Sequence, residues 1–197
     1  MIFVYKKIKI FLNMEIEKTN IKEVFIITPR VFKDDRGYFF ESFNEQEFFE
    51  KTKFPFMAIQ DNESCSVKGV LRGLHFQKGT DAQAKLVRCV EGEIFDVAVD
   101  IRPESETFGE YAFAILSGEN HKQLYIPKGF AHGFYTLSDK AIVNYKCNHG
   151  YCPESEGGIT WNDKTINIQW PIKDDIVILS EKDSNRPTLK EYIIKNY

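Results

Sequence analysis

The residues best suited to chemistry lie in residues 69–77, which read Gly-Val-Leu-Arg-Gly-Leu-His-Phe-Gln. This short, mostly apolar stretch contains a guanidinium, an imidazole and a side-chain amide. Arg72 can bind a phosphate through two parallel hydrogen bonds, and His75 can transfer a proton near neutral pH. Taken alone, however, the stretch is better explained as a plain strand with an exposed Arg and a hydrogen-bonded His.

Three other positions carry groups suited to the same chemistry. Lys85 would stabilise negative charge developing on an oxygen if its strand turned it into a pocket, although a solvated Lys is more common. Tyr145 keeps its proton at neutral pH because a phenol has an ordinary pKa of about 10, so it fits a proton donor as well as a core residue. Asp183 lies in a charged run and is either exposed or placed to orient an imidazole.

A metal site is not predicted. The spacing Pro-x-Gly-x-x-His that ends at His132 is similar to the second cupin motif, in which the His often binds a metal. Metal-binding cupins also carry a His-x-His pair in their first motif, and this sequence contains none. So few ligands suit neither iron nor zinc. We therefore predict no cofactor, and we interpret His132 as a residue that contacts the ligand or supports one that does.

The predicted strand that contains Arg72 and His75 limits how these two residues can act on one ligand. Side chains alternate along an extended strand, so Arg72 and His75 would lie on opposite faces. The two can act on one ligand only if the strand bends at Gly73 or if a neighbouring subunit supplies one of them.

Composition favours one globular domain that has no general affinity for nucleic acid or membrane. The chain has 197 residues, of which 43% are hydrophobic and 28% charged, and its formal net charge is −3. An acidic balance gives no attraction to polyanions, so an anionic ligand requires a local basic cluster. Four cysteines without metal-binding spacing indicate reduced thiols of a cytoplasmic protein.

The pattern of elements predicts an all-β sandwich or barrel with a few short helices, because many short apolar runs follow one another at close spacing. Asn44 is predicted to cap a helix over Glu45–Thr52. Residues 93–101 are predicted to form a strand, and the alternation of larger apolar residues with Asp or Ala over 95–100 predicts that it is half-buried. Short strands are expected at 168–170 and 176–179, and a helix at 188–194. We predict one domain over 14–197, preceded at 1–13 by a flexible leader or an upstream start.

Taken together, the motifs resemble the dTDP-4-dehydrorhamnose 3,5-epimerase family, over residues 24 to 187. The resemblance implies a cupin-type jelly-roll fold. It rests on ordered blocks at residues 35–37, 40–43, 60–62, 69–77, 85–88, 96–100, 126–134, 145–146, 151–154, 161–163 and 179–183.

The resemblance also implies a role for each matched residue. His75 corresponds to the general base, with Asp183 as its partner, and Tyr145 to the general acid on the opposite face of the sugar. Lys85 corresponds to the residue that stabilises the enolate, and Tyr151 to an aromatic side chain that stacks on thymine. The other matched positions contact the ligand: Arg36, Glu41, Gln60, Asn62, Arg72, His132, Glu156 and Lys182.

The implied reaction inverts C3 and C5 of dTDP-4-keto-6-deoxyglucose through an enolate and gives dTDP-4-dehydro-L-rhamnose without a cofactor. The implied enzyme is a cytoplasmic homodimer whose subunits exchange N-terminal strands. The nearest alternatives keep the fold and are a 3- or 5-monoepimerase or a ketoisomerase. A sugar-binding cupin without catalysis is the alternative of another class, and a metal oxygenase lacks ligands.

Overall fold

The structure is a computed structural model that describes residues 14–172 and 176–196. The expectation that residues 1–13 form a leader or an upstream start lies outside these residues. None of the helices in the described ranges is long and apolar enough to cross a membrane.

Two antiparallel β-sheets dominate the described part of the chain, as the all-β prediction requires. The six-stranded sheet has the order β1 (Met14–Lys18), β2 (Phe25–Pro29), β10 (Gln123–Ile126), β7 (Lys85–Glu91), β12 (Lys140–Cys147) and β5 (Gln60–Val67). The five-stranded sheet has the order β13 (Glu156–Gly158), β6 (Leu71–Gln77), β11 (Phe130–Thr136), β8 (Glu93–Asp100) and β9 (Tyr111–Ser117). A separate hairpin consists of β3 (Phe32–Asp34) and β4 (Gly37–Phe39).

Three short α-helices accompany the sheets in the described residues. They are α1 (Glu45–Thr52), α2 (Glu181–Ser184) and α3 (Leu189–Asn196). The predicted cap is confirmed, because the Asn44 side chain accepts a hydrogen bond from the backbone N–H of Glu47 at 3.0 Å. Such a cap satisfies a donor that the first turn of a helix leaves unpaired.

Apolar side chains from both sheets fill the space between them. Val87 and Val143 of the six-stranded sheet belong to the same buried cluster as Ile94, Ala98 and Phe134 of the five-stranded sheet. Burial of such side chains is the main favourable term in folding. The two sheets therefore present facing inner surfaces, and polar groups that enter this space are shielded from water.

The prediction of a half-buried β8 is wrong, because both faces of this strand are buried. Phe95, Val97 and Val99 pack under the C-terminal segment, against residues such as Ile159 and Leu189. The polar residues of the other face, Asp96 and Asp100, are fully buried as well. Alternation could not reveal this, since each carboxylate is buried with a partner: His132 for Asp96 and Arg102 for Asp100.

The predicted strands of the tail are also wrong. Residues 168–170 form no strand, and 176–179 contribute only an isolated bridge between Val70 and Ile178. This segment packs on the five-stranded sheet through apolar side chains instead, Ile166 and Ile168 among them. The helix predicted at 188–194 is confirmed as α3 (Leu189–Asn196).

Candidate active site

A cavity of about 330 Å³ lies between the two sheets. The five-stranded sheet contributes His75 and Gln77 to its wall, and the six-stranded sheet contributes Lys85 and Tyr145. A second cavity of about 370 Å³ shares His75 and Glu156 with the first. Its other polar lining residues are Arg72, Ser180, Lys182 and Asp183.

His75 and Asp183 form a close pair, although 108 positions separate them. The His75 Nε2 atom lies 2.5 Å from Oδ1 of Asp183. His75 is partly exposed, with 36% of its side chain accessible, whereas the Asp183 side chain is 5% accessible. Burial favours a higher pKa for Asp183, but hydrogen bonds from His75, Ser180 and the Gly73 backbone outweigh it and lower the pKa. Asp183 is therefore an anion at neutral pH.

The short helix α2 positions Asp183 beside His75. Ser180 caps this helix, since its Oγ accepts a hydrogen bond from the backbone N–H of Asp183 at 3.1 Å. The cap fixes the backbone at the residue that carries the carboxylate. The charged run at 179–183 is thus the start of a helix that places the Asp183 carboxylate against His75.

An irregularity in β6 brings Arg72 and His75 to the same cavity. His132 pairs with His75 and Phe134 with Arg72, so β6 has one residue more than β11 over this interval. Gly73 takes up the extra residue with φ of +131°, a region that L side chains rarely adopt. A β-carbon at Gly73 would also lie 2.5 Å from Cα of Gly133. The bend that Arg72 and His75 require is therefore present.

Lys85 brings a buried cation to the cavity. Its Nζ atom lies 5.8 Å from the centre of the Tyr145 ring. In residues 14–172 and 176–196, no carboxylate lies within ion-pair distance of this ammonium group; its exposed fraction is 9%. Burial lowers the pKa of Lys85, and the more distant charges of Asp96 and Glu156 oppose this shift.

Tyr145 lines the same cavity from β12, across from His75. Burial raises the pKa of its phenol, so the hydroxyl keeps its proton at neutral pH. Its hydroxyl forms no hydrogen bond within the part of the chain that the structure describes. A buried Tyr usually satisfies its hydroxyl, so a donor left free at a cavity wall is available to a ligand.

A second histidine–aspartate pair lies deeper in the molecule. The His132 Nε2 atom is 2.8 Å from Oδ1 of Asp96, and the two side chains are 7% and 0% accessible. Burial lowers the pKa of His132, although the Asp96 carboxylate opposes the shift. The His132 ring lies 6.4 Å from that of Tyr145, but His132 is not part of either cavity wall.

Three side-chain hydrogen-bond donors surround the carboxylate of Glu156 at the mouth of the cavity. Its carboxylate accepts hydrogen bonds from Tyr151 Oη at 2.7 Å, Lys182 Nζ at 2.6 Å and Arg186 Nη2 at 2.7 Å. Burial favours a higher pKa for Glu156, but these donors lower it to about 2. Sequence reasoning missed Arg186, because nothing in the local pattern around 186 distinguishes it from a surface residue.

Two amide side chains of β5 complete this side of the cavity. Gln60 donates to Oδ1 of Asn62 at 2.9 Å and accepts from the backbone N–H of Tyr151 at 2.8 Å. Tyr151 itself is 58% exposed. An exposed aromatic ring at a cavity mouth offers an apolar face to a planar ligand.

The structure does not bring Arg36 and Glu41 to either cavity of this chain. Arg36 lies at the tip of the β3–β4 hairpin, where its side chain is 90% exposed and pairs with Asp34 at 2.6 Å. Glu41 is exposed and accepts hydrogen bonds from Asn44 at 3.3 Å.

Residues 14–172 and 176–196 contain no group of three or more His, Cys, Asp or Glu side chains placed to hold a metal ion. All four cysteines are free thiols.

Comparison with known proteins gives a consistent result. The family model described as dTDP-4-dehydrorhamnose 3,5-epimerase matches residues 18–191. The dTDP-4-dehydrorhamnose 3,5-epimerase of Salmonella typhimurium is 53% identical over 92% of this chain and 98% of its own. The crystal structure of the enzyme of that name from Elizabethkingia anophelis superposes with a TM-score of 0.88, at 52% identity over 94% of this chain and 100% of that one.

A third relative was solved with a ligand. It is dTDP-6-deoxy-D-glucose-3,5-epimerase from Legionella pneumophila in complex with dTDP-4-keto-L-rhamnose. Its TM-score is 0.87, at 49% identity over 90% of this chain and 93% of that one. These superpositions span nearly the whole described sandwich and confirm the predicted cupin-type fold.

Proposed function

The chain belongs to the dTDP-4-dehydrorhamnose 3,5-epimerase family, and we propose that the cavity between its two sheets is where it inverts the sugar. The protein is an isomerase that epimerises C3 and C5 of dTDP-4-dehydro-6-deoxy-D-glucose to give dTDP-4-dehydro-L-rhamnose. The C4 ketone acidifies the hydrogens on both neighbouring carbons, so each inversion removes a proton from one face and returns one to the other. The roles of individual residues in these steps are the proposal that follows.

One observation carries the assignment of base and acid: His75 and Tyr145 line the same cavity from opposite sheets. A ring held between them would present one face to an imidazole and the other to a phenol. Inversion needs this arrangement, because a single group on one face would return the proton to the side it came from.

Asp183 supports the role of His75 as the base. A low-pKa carboxylate at 2.5 Å from Nε2 favours the tautomer that carries its proton on this nitrogen. The lone pair then lies on Nδ1, which is free to take a proton from carbon. Asp183 also stabilises the imidazolium that forms, so it positions the base and lowers the energy of its charged state.

In this proposal, the ammonium group of Lys85 stabilises the enolate. Its buried ammonium group lacks a carboxylate partner in the described structure, so its charge is available for an oxygen that becomes negative. A preorganised cation in a low-dielectric site stabilises such an oxyanion more strongly than water does. Tyr145, which keeps its proton, completes the inversion by protonating the enolate carbon from the other face.

The nucleotide half of the substrate lies toward the mouth of the cavity in this proposal. Tyr151 offers a face for thymine, and Glu156, Lys182, Gln60 and Asn62 offer hydrogen bonds. Arg72 supplies positive charge for the diphosphate.

A second subunit completes the site in this proposal. The exposed Arg36, at the tip of a hairpin outside the two main sheets, supports a homodimer in which Arg36 and Glu41 reach the partner's cavity. The exposed rings of Tyr38 and Phe39 on the same hairpin are suited to a protein contact. The free thiols support the further proposal that the enzyme works in the cytoplasm.

Hydrogen exchange tests the proposed chemistry. In deuterated water the protein should incorporate deuterium at both C3 and C5 of dTDP-4-keto-6-deoxyglucose, observed by NMR, and chelator treatment should leave the exchange intact. Exchange at one carbon only would establish a monoepimerase. Binding of the substrate without exchange at either carbon would establish a sugar-binding protein, and loss of exchange on chelation would refute metal-independent catalysis.

Tyr145→Phe separates proton removal from inversion. The variant keeps His75, so solvent exchange should fall less than tenfold, while inverted product should fall about a hundredfold because the opposite-face donor is lost. Exchange and inversion are measured in one NMR time course. Equal loss of both would contradict the assignment of Tyr145 as the acid.

A further inference from the structure

Two glutamines that the mechanism does not use hold the loop that presents Tyr151. Residues 148–152 connect β12 to the short segment before β13, and Tyr151 is their most exposed aromatic side chain. The ring of Tyr151 has one hydrogen-bond partner, Glu156, and no stacking partner in the described residues. Its position therefore depends on what fixes the loop backbone.

Gln77 binds this loop from β6. Its Nε2 atom donates to the carbonyl of Gly150 at 3.1 Å and to that of Asp81 at 2.7 Å. Its Oε1 atom accepts from the backbone N–H of Cys152 at 2.8 Å. Gln77 thus holds the residues on both sides of Tyr151, and it is itself buried.

Gln83 binds the same loop from the segment that precedes β7. Its Nε2 atom donates to the carbonyls of His149 at 2.7 Å and Gly150 at 3.3 Å. The backbone N–H of Ala84 continues the contact by donating to Oδ1 of Asn148 at 2.8 Å. Side chains that bond backbone carbonyls in this way replace the pairing that a loop outside a sheet cannot make for itself.

We propose that Gln77 and Gln83 are positioning residues that hold Tyr151 ready for the nucleobase and so set the affinity for the nucleotide. This inference rests on the proposed function, in which Tyr151 stacks on thymine. A loop fixed before binding loses less conformational entropy when the ligand arrives. The two amides therefore act on KM and on the Kd for thymidine diphosphate, while proton transfer at His75 is left to other residues.

The test is a double-substitution cycle with thymidine diphosphate as the probe. Gln83→Met and Gln77→Met remove the amide without changing charge or length greatly. Each should raise the Kd for thymidine diphosphate, measured by calorimetry, and the KM for the ketosugar about tenfold, with kcat within threefold of the parent. Gln169→Met is the matched control, because Gln169 also donates to a backbone carbonyl, that of Asn167 at 2.9 Å, outside both cavities.

The Tyr151→Ala variant tests whether the two glutamines act through Tyr151 or contact the ligand themselves. If they act through Tyr151, adding Gln83→Met to Tyr151→Ala should raise the Kd less than twofold further. A full tenfold further loss would show that Gln83 contacts the ligand itself and would overturn the inference, as would a fall in kcat with unchanged Kd. If Tyr151→Ala weakens binding and neither glutamine variant does, the inference fails while the proposed function stands. Failure of the parent protein to bind thymidine diphosphate would instead refute the proposed function.

The use of two glutamines keeps the test valid if one variant fails to fold. Gln77 is buried, whereas Gln83 is only partly so, so Gln83→Met carries the test if Gln77→Met unfolds. Normal folding of Gln83→Met together with unchanged Kd and KM would refute the proposal.

Discussion

Two histidine–aspartate pairs, whose histidines lie on neighbouring strands, consist of the same two side-chain types, but their surroundings differ. His75 and His132 are directly paired across β6 and β11. The first pair, with Asp183, borders two cavities and its imidazole is one-third exposed. The second pair, with Asp96, is closed off from solvent. In the proposed mechanism, access to a cavity, and not the pairing itself, distinguishes His75, which transfers the proton, from the enclosed His132.

The electrostatic settings of the two pairs differ as well. Asp183 has donors in addition to His75, including Ser180, and its pKa is lowered. For His132, burial dominates and the pKa of the imidazole is lowered, which keeps the ring neutral at neutral pH. One oxygen of Asp96 has no hydrogen-bond partner within the described residues.

The largest expected effect comes from His75→Ala. Loss of the general base should slow deuterium incorporation at C3 and C5 about a thousandfold. Affinity for thymidine diphosphate should stay within a few-fold, and calorimetry provides this control. Normal exchange in the variant would show that the His75–Asp183 pair does not contain the base and would remove the contrast between the two pairs.

Asp183→Asn should have the next largest effect. An amide of the same shape no longer fixes the imidazole tautomer or stabilises its cation, so exchange should slow about a hundredfold. His75 remains in place, which is why the loss is smaller than that of His75→Ala. The measurement is the same NMR time course, and a loss below threefold would refute the positioning role of Asp183.

His132→Ala should lower the stability of the fold more than His75→Ala does. Removing the buried imidazole leaves Asp96 without a partner, which should lower the free energy of unfolding by about 2 kcal/mol. The partly exposed His75 should contribute less than half as much. Urea denaturation of both variants measures this, and equal losses would contradict the contrast.

The smallest expected effect is a pH dependence of stability. His132 has a lower pKa in the folded protein than in the unfolded chain, so only the unfolded chain takes up its proton just below pH 6.5. Stability should therefore fall as pH falls from 6.5, by at most about 1.4 kcal/mol per pH unit. Asp183, whose folded pKa is lowered from 3.8, should contribute a loss only below that pH. Urea denaturation at pH 7.5 and 5.5 checks this, with His132→Gln expected to show a smaller difference.

Sequence patterns predicted helices and strands correctly where neighbouring residues determine the structure. The cap at Asn44, the strand over Leu71–Gln77 and the final helix all follow from neighbouring residue types. The prediction of a half-buried β8 was wrong because the C-terminal segment covers the outer face of this strand. Alternation along a strand carries no information about layers that distant segments contribute.

The candidate site depended on contacts that no local pattern contains. His75 and Asp183 meet across 108 positions, and only the family resemblance paired them beforehand. The buried partnership of Asp96 with His132 and the position of Arg186 beside Glu156 were not predicted, since each arises from the packing of separate strands and loops. Arg36 was assigned to the ligand by resemblance, and one chain alone does not bring it there.

The contact between Gly73 and Gly133 limits how this protein can diverge. A β-carbon on Gly73 would lie 2.5 Å from Cα of Gly133, and one on Gly133 would lie 2.7 Å from the carbonyl oxygen of Arg72. Neither position can gain even a methyl group unless the two main chains separate. Descendants that diverge widely elsewhere should therefore keep both glycines. In a lineage that replaces either glycine, the guanidinium of Arg72 and the imidazole of His75 should no longer reach the same cavity.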